Sequence, residues 1–162
     1  MTVSTERAMW ALPLLVIDGD CAFCQATAAR ASRAIRRFPI SVSWQELERA
    51  GLLAGGQGVG PGDGAAQSDV AAALGMLTTD ECVRAVQYID RTGRLHAAHD
   101  AVAAVLRDAG RGWWLLGTAL RAPGVRQVGA VTYRWVARNR YRLPGGSDRC
   151  SLSSAASSSS DR

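Results

Sequence analysis

The stretch VIDGDCAFC, residues 16–24, constrains the fold of this 162-residue chain more than any other segment. The apolar run just before it, Leu14–Ile17, is short and continuous, which is typical of a buried strand. Asp20 can then cap a helix that runs to about Arg37, because its carboxylate can accept hydrogen bonds from the free N–H groups of the first turn. The sequence therefore predicts two cysteines at the start of a helix that directly follows a buried strand.

This first helix is predicted to bury one side. On a helical wheel the arginines at 30, 33, 36 and 37 fall opposite an apolar side made of Phe23, Thr27, Ala31, Ala34, Ile35 and Phe38. Cys24 lies in the middle of the apolar side and Cys21 at its border. We therefore expect Cys24 to be sheltered and Cys21 to be exposed.

The later segments predict a mixed α/β order. Residues 40–44 alternate apolar and polar side chains, which favours a second strand that is parallel to the first through a right-handed crossover. Further predicted elements are a helix at 68–77, strands at 82–89 and 94–97 joined by a turn at 90–93, a helix from about Asp100 to Gly110, and C-terminal helices at 113–120 and 125–141. The order βαβαββα, with additional C-terminal helices, predicts a thioredoxin-like α/β sandwich.

Two of these helices have a side that we expect to face inward. The inward residues are Val102, Val105, Leu106 and Ala109 in the first helix, and Val125, Val128, Thr132, Trp135 and Val136 in the second.

Length and composition favour one domain over residues 12–150. Its predicted parts include a flexible loop at 51–64, which holds seven glycines, and a C-terminal helical region at 112–142. The Ser-rich tail, residues 151–162, is predicted to be disordered. No signal peptide and no transmembrane segment is predicted, so a cytoplasmic, reducing location is expected.

The C-terminal region is strongly basic. Residues 111–149 contain eight arginines against one acidic residue, Asp148, so their net charge is +7. Arginines interleaved with aromatic residues suit contact with RNA or an anionic membrane surface, and here they are Arg126, Arg134, Arg138, Arg140 and Arg142 with Tyr133, Trp135 and Tyr141. The favoured interpretation is that Trp135 and the valines pack on the sheet while the arginines are solvated. No nucleic-acid partner is expected.

Asp18 and Asp20 also permit a phosphatase interpretation. An apolar strand followed by Asp-x-Asp resembles the opening motif of haloacid-dehalogenase-type phosphatases, in which the first Asp is the nucleophile. That family relies on a downstream basic residue, usually Lys, and this chain contains no Lys. No later predicted strand ends in the paired acids that would bind Mg²⁺. This interpretation is disfavoured.

A metal site would need two more ligands beside Cys21 and Cys24, and His96 with His99 could supply them. About 70 residues separate the two pairs, whereas a zinc finger has about 12–15. We therefore predict no metal and no cofactor, although metal binding stays an alternative function.

A redox dithiol requires only the two cysteines of the motif. Exposed N–H groups and the helix dipole stabilise a thiolate at a helix N-terminus, and a second cysteine one turn later can close a disulfide onto it. The carboxylates of Asp18 and Asp20 would disfavour a thiolate at Cys21. Asp18 could instead accept the proton of Cys24.

The pattern Asp18-x-x-Cys21-x-x-Cys24 after an apolar strand resembles the signature of the DCC family of thiol-disulfide oxidoreductases. Residues 91–110 and 133–146, with the trailing Cys150, are similar to the hairpin-and-helix segment and the C-terminal helix of that family. The resemblance covers roughly residues 14–150. It implies a thioredoxin-like fold and exchange with a protein or low-molecular-weight thiol or disulfide. We expect Cys21 to attack and Cys24 to resolve.

Two features bear on the substrate. Thioredoxins bind substrate peptides with a cis-proline just before their third strand, but this chain has no proline between Pro61 and Pro123. The usual peptide-docking loop is therefore absent or built differently. Cys150 could act as a third redox thiol if the C-terminal helix ends near the start of the Cys21 helix. A surface thiol without a redox role is the favoured interpretation of Cys150.

Overall fold

The computed structural model of the chain describes residues 12–54 and 65–140, without the side chains of 65–69. Its four strands are β1 (Leu14–Ile17), β2 (Ile40–Ser43), β3 (Gln87–Ile89) and β4 (Leu95–Ala97). They form one mixed sheet in the order β2-β1-β3-β4, with β1 parallel to β2 and the other neighbours antiparallel. The predicted pairing of residues 14–17 with 40–43 and the predicted hairpin are confirmed. This arrangement is compatible with a thioredoxin-like fold.

Seven helices are described around the sheet. They are α1 (Ala22–Ala34), α2 (Trp44–Arg49), α3 (Ala65–Gly75), α4 (Thr79–Arg84), α5 (Ala98–Ala109), α6 (Trp113–Ala119) and α7 (Val125–Asn139). None of the helices within the described ranges is long and apolar enough to cross a bilayer. The glycine-rich residues 55–64 and everything after residue 140, including Cys150 and the Ser-rich tail, lie outside the described residues.

Helix α4 corrects the predicted third strand, which was placed at 82–89. The Thr78 hydroxyl accepts a hydrogen bond from the backbone N–H of Glu81 at 3.3 Å, and the Glu81 carboxylate accepts one from the N–H of Thr78 at 2.9 Å. This capping box starts a helix, so the strand begins only at Gln87. Ser43 and Glu46 form the same arrangement at the start of α2, which places Trp44 in that helix instead of β2.

The core lies on both faces of the sheet, because successive side chains of β1 point to opposite faces. Leu14 and Val16 join one buried cluster, which includes Val42, Leu47, Leu74, Leu77 and Ile89. Leu15 joins the other, which includes Tyr88, Ala101, Ala104 and Val105 from β3 and α5. Helix α5 therefore covers one face of the sheet, and the segments from β2 to α4 cover the other.

Helices α5 and α6 are in close contact at a glycine. A Cβ atom at Gly117 would lie 2.6 Å from the carbonyl oxygen of Ala103 and 2.7 Å from the backbone nitrogen of Arg107, so only glycine fits. Of the four residues of α5 that were predicted to face inward, Val105, Leu106 and Ala109 are buried. Val102 is 42% exposed, so that prediction was wrong.

The predicted inward face of α7 is wrong for four of its five residues, since only Val136 is half-buried, and Thr132 is exposed. Val125, Val128 and Trp135 are 44%, 67% and 58% exposed. The helix is held by a different residue, because the Tyr133 hydroxyl accepts a hydrogen bond at 2.9 Å from the backbone N–H of Val86, just before β3. This bond turns Tyr133 toward the protein and Trp135 away from it, so Trp135 does not pack on the sheet.

The β3–β4 turn depends on the carboxylate of Asp90. Its Oδ1 accepts hydrogen bonds from the N–H and hydroxyl of Thr92 at 2.9 and 2.6 Å and from the N–H of Arg94 at 3.1 Å. Its Oδ2 lies 2.9 Å from Nε2 of His96. Burial raises the pKa of Asp90, but these hydrogen bonds outweigh that effect and lower the pKa to about 2.

We expect Asp90→Ala to lower the free energy of unfolding by about 1–2 kcal/mol at neutral pH, because several hydrogen bonds are lost. Since the folded protein lowers the pKa of this carboxyl, its contribution is present above the ordinary value of 3.8 and is lost as pH falls through about 2. Urea unfolding at pH 7 and near pH 2 measures both effects. The exposed Asp80→Ala variant is the control, and a loss for Asp90→Ala that is equal at both pH values would contradict the assignment.

Candidate active site

Cys21 is the N-cap of α1, one position before the first helical residue. Its Sγ accepts a hydrogen bond from the backbone N–H of Cys24 at 3.4 Å. The prediction that Asp20 caps the helix is therefore wrong, and the helix ends at Ala34 instead of Arg37. The free N–H groups and dipole of the helix terminus favour negative charge on the Cys21 sulfur.

The exposure of the two cysteines is the reverse of the predicted order. Cys21 is 0% exposed, while Cys24 is half-buried and lines a pocket. A helical wheel describes residues inside a helix, but the sulfur of an N-cap residue turns back over the first turn. The wheel therefore placed Cys21 incorrectly, and Cys24 is the more accessible thiol.

Asp18 follows β1 directly and is only 4% exposed. Its Oδ1 accepts hydrogen bonds from the backbone N–H of Asp20 at 3.1 Å and from Nε2 of Gln45 at 2.9 Å. Its Oδ2 lies 3.5 Å from Nη2 of Arg140, the residue just after α7. The predicted site residues Asp18, Cys21 and Cys24 are thus brought together at the carboxyl end of β1.

Gln45 shapes the loop between β1 and α1, and the sequence did not identify it. Its Oε1 accepts a hydrogen bond from the N–H of Gly19 at 3.0 Å, and its Nε2 also reaches Oδ2 of Asp20 at 3.2 Å. A Cβ at Gly19 would lie 2.7 Å from Cβ of Ser43, so this loop can approach α2 only with glycine there. The predicted strand order could have indicated this contact. Parallel strands β1 and β2 end at the same edge of the sheet, so the residues that follow each strand lie close together.

Arg140 is the second functional residue that the sequence missed, since it was counted among the solvated arginines. Its side chain is 16% exposed, with Nη2 near Asp18 and Nη1 3.9 Å from the Sγ of Cys24. The neighbouring basic residue Arg126 pairs instead with Asp100 at 3.0 Å. The end of α7 therefore approaches the start of α1. A redox role of Cys150 was predicted to require this approach.

The electrostatics of Cys24 combine opposing effects. Burial is the largest effect and raises the pKa of its thiol, to which the charge of Asp18 adds. The hydrogen bond with Cys21 and the positive charge of Arg140 lower the same pKa. Arg140 is therefore the charged group that favours a Cys24 thiolate in an otherwise apolar setting.

Cys82 lies in α4 and is 4% exposed. Burial, with smaller effects from the charges of Glu81 and Glu48, raises the pKa of its thiol to about 12. A thiol with so high a pKa is almost entirely protonated near neutral pH, so Cys82 is not a candidate nucleophile.

A pocket of about 230 Å³ lies beside Cys24 between α1, α5 and α7. Its wall is almost wholly apolar, and Asp18 and Arg140 are among its few charged lining residues. The lining includes most of the side of α1 that was predicted to be apolar, namely Phe23, Thr27, Ala31, Ile35 and Phe38. That side of α1 therefore borders a cavity, and no residue within α1 is fully buried.

The histidines that were weighed as metal ligands have other neighbours. His96 lies 2.9 Å from Asp90, and His99 lies 3.7 Å from Asp100. Among residues 12–54 and 65–140, no three His, Cys, Asp or Glu side chains are placed to share a metal ion. Cys21, Cys24 and Cys82 are all free thiols in the structure.

Residues 63–146 match the family model described as DCC1-like thiol-disulfide oxidoreductase, and they make up just over half of the 162 residues. The chain belongs to this family. The predicted resemblance is thereby confirmed. The matched segment contains Arg140 and all of the pocket-lining residues of α5 and α7, whereas Cys21 and Cys24 precede it in sequence and meet it in space. Searches of curated proteins and of solved structures gave no significant match.

We expect Arg140→Gln to slow alkylation of Cys24 several-fold at pH 8 and to shift its pH–rate profile to higher pH. The charge of Arg140 lowers the pKa of Cys24, so its removal leaves less thiolate at a given pH. Rates can be measured by iodoacetamide labelling and peptide mass mapping.

Arg138→Gln is the matched control for this experiment, because Arg138 is exposed on the same helix. Its alkylation profile should equal that of the wild type. An unchanged profile in Arg140→Gln would show that Arg140 does not act on the Cys24 thiolate.

Proposed function

We propose that the chain catalyses thiol–disulfide exchange on a thioredoxin-like fold by cycling Cys21 and Cys24 between a dithiol and a disulfide. The observation that carries this proposal is the hydrogen bond from the Cys24 N–H to the Cys21 sulfur, which holds both thiols at one helix end. The family match, which names thiol-disulfide oxidoreductases, supports the same chemistry.

In this proposal Cys24 meets the substrate first and Cys21 closes the disulfide, which exchanges the roles that the sequence suggested. Access supports this order, because Cys24 lines the pocket and Cys21 is fully buried. The Cys24 thiolate attacks a substrate disulfide, the S–S bond breaks, and one thiolate leaves. The Cys21 thiolate then attacks the Cys24 sulfur and releases the second thiol, so two electrons pass from the dithiol to the substrate.

Asp18 has a positioning role in this proposal. The sequence suggested that it accepts the proton of Cys24. Its carboxylate pairs with Arg140, which lies beside the Cys24 sulfur, and its backbone carbonyl accepts a hydrogen bond from the Cys21 N–H at 3.3 Å. A carboxylate that fixes the guanidinium beside Cys24 holds the cation where a thiolate forms. Asp18 is therefore proposed to orient Arg140, and proton acceptance by Asp18 stays a prediction.

The alternative functions have no comparable support. The family match favours neither a metal site nor a nucleic-acid or membrane-surface module. Substrates are accordingly proposed to be thiols or disulfides. The cytoplasmic location that the sequence suggested stays a prediction.

The proposal predicts a reversible loss of two hydrogens as the ratio of oxidised to reduced glutathione is raised. Thiols are trapped with an alkylating agent at each ratio, and the intact mass reports how many have reacted. One two-electron transition is expected, because Cys21 and Cys24 oxidise together.

Cysteine variants test whether this two-hydrogen transition belongs to Cys21 and Cys24. Cys21→Ser and Cys24→Ser should each abolish the two-hydrogen transition, whereas Cys82→Ser should leave it unchanged. A transition that persists without Cys24, or that disappears without Cys82, would refute the assignment.

A further inference from the structure

We propose that the apolar pocket beside Cys24 is the substrate site and that it selects small disulfides and thiols whose sulfur carries an apolar group. This inference rests on the exchange chemistry proposed above. It adds a substrate class to that chemistry, and it names the residues that would discriminate between substrates.

The size and wall of the pocket favour an apolar group the size of an aromatic ring. Its volume of about 230 Å³ exceeds the roughly 150 Å³ of an apolar protein cavity that binds benzene. Phe23 and Ala31 of α1, Val105 of α5 and Val136 of α7 contribute to the wall. Thr27 and Val102 are exposed lining residues, so the pocket is open to solvent on their side.

The segment before β3 cannot hold an extended peptide by backbone pairing. The N–H of Val86 donates to the Tyr133 hydroxyl at 2.9 Å, and its carbonyl accepts from the N–H of Ala98 at 2.9 Å. Both backbone groups at the position next to β3 are therefore used within the protein. Since the Tyr133 side chain of α7 and the Ala98 N–H take both backbone groups of Val86, a small molecule is a better fit than an extended peptide.

Charge also argues against strongly polar substrates. Arg140 is a cation at the Cys24 end of the pocket, and it is already close to the buried carboxylate of Asp18. Arg84, the other arginine that lines the pocket, is exposed. A substrate carboxylate that entered the apolar part, beyond these two cations, would lose hydration without a charged partner there. An apolar group would gain free energy from the same transfer, since its surface leaves water.

The proposed substrate is a mixed disulfide R–S–S–G, in which R is apolar and G is glutathionyl, and it is reduced in two exchange steps. Cys24 attacks the sulfur that carries R, a Cys24–S–R bond forms, and the glutathione thiolate leaves and takes up a proton. Cys21 then attacks Cys24 and releases R–SH, leaving the Cys21–Cys24 disulfide. A low-molecular-weight thiol such as glutathione can reduce this disulfide for the next turnover.

The test compares two probes that differ only in R, the mixed disulfides of glutathione with benzyl mercaptan and with methyl mercaptan. Pre-reduced protein is mixed with each, and single-turnover formation of the Cys21–Cys24 disulfide is followed by intact mass after acid quenching. The benzyl probe should react at least about tenfold faster, because its ring is buried in the pocket. Equal rates for the two probes would overturn the inference.

Variants that fill the pocket test whether the preference for the benzyl probe arises there. Ala31 is a half-buried lining residue, so Ala31→Phe should abolish the preference for the benzyl probe over the methyl probe. Ala34→Phe is the matched control, because Ala34 is exposed on the same helix and does not line the pocket. A preference that survives in Ala31→Phe would also overturn the inference.

A folding control and a second variant distinguish an unfolded protein from one that has lost its substrate preference. Thermal unfolding reports whether Ala31→Phe is folded, and Ala137→Phe, which fills the pocket from α7, replaces it if it is not. If the wild type reduces neither probe, the proposed exchange function fails. If it reduces both equally, the exchange function stands and only the pocket assignment fails.

Discussion

The guanidinium of Arg140 links the two halves of the site. It lies 3.5 Å from the Asp18 carboxylate, which follows β1, and 3.9 Å from the Cys24 sulfur in α1. Both charged side chains are largely buried. Breaking a buried ion pair by removing one partner typically costs about 3–5 kcal/mol, because the other charge is left without compensation. Together with the Tyr133–Val86 hydrogen bond and the Arg126–Asp100 ion pair, this contact holds α7 in place, and α7 forms one wall of the pocket.

The same contact explains how a thiol in an apolar setting can react. Burial alone would keep Cys24 protonated, as it does for Cys82, whose pKa is raised to about 12. Cys24 differs because Arg140 and a hydrogen bond from Cys21 act against the burial. Cys82 is buried and lies near the charges of Glu81 and Glu48, whereas Cys24 is half-buried and has both a hydrogen bond from Cys21 and the charge of Arg140. We therefore propose Cys24, and not Cys82, as the reactive thiol.

Local patterns were sufficient to predict most of the elements and the residues of the motif. The apolar run at β1, the alternation at β2 and the Asp-containing turn before β4 are each readable from a few adjacent residues. The strand predicted at 82–89 starts too early because the Thr78–Glu81 capping box, which is also a local signal, favours a helix before the strand.

The contacts that complete the site could not be predicted from local patterns. Arg140 is 116 residues from Cys24 in the sequence, and nothing distinguishes it from the exposed arginines of the same helix. Gln45 is a polar residue in an unpredicted helix, and its role follows only from the parallel pairing of β1 with β2. The orientation of α7 involves polar contacts of Tyr133, Arg126 and Arg140, which a hydrophobic pattern does not encode.

We propose that Cys24 is the thiol that substrates meet first and that Cys21 completes the exchange. The most direct measurement is peptide mapping of the first mixed disulfide, formed when reduced protein meets substoichiometric oxidised glutathione and is acid-quenched at successive early times. A glutathionyl adduct is expected on Cys24 and should decay as the Cys21–Cys24 disulfide appears. An adduct that forms first on Cys21 would contradict this proposal.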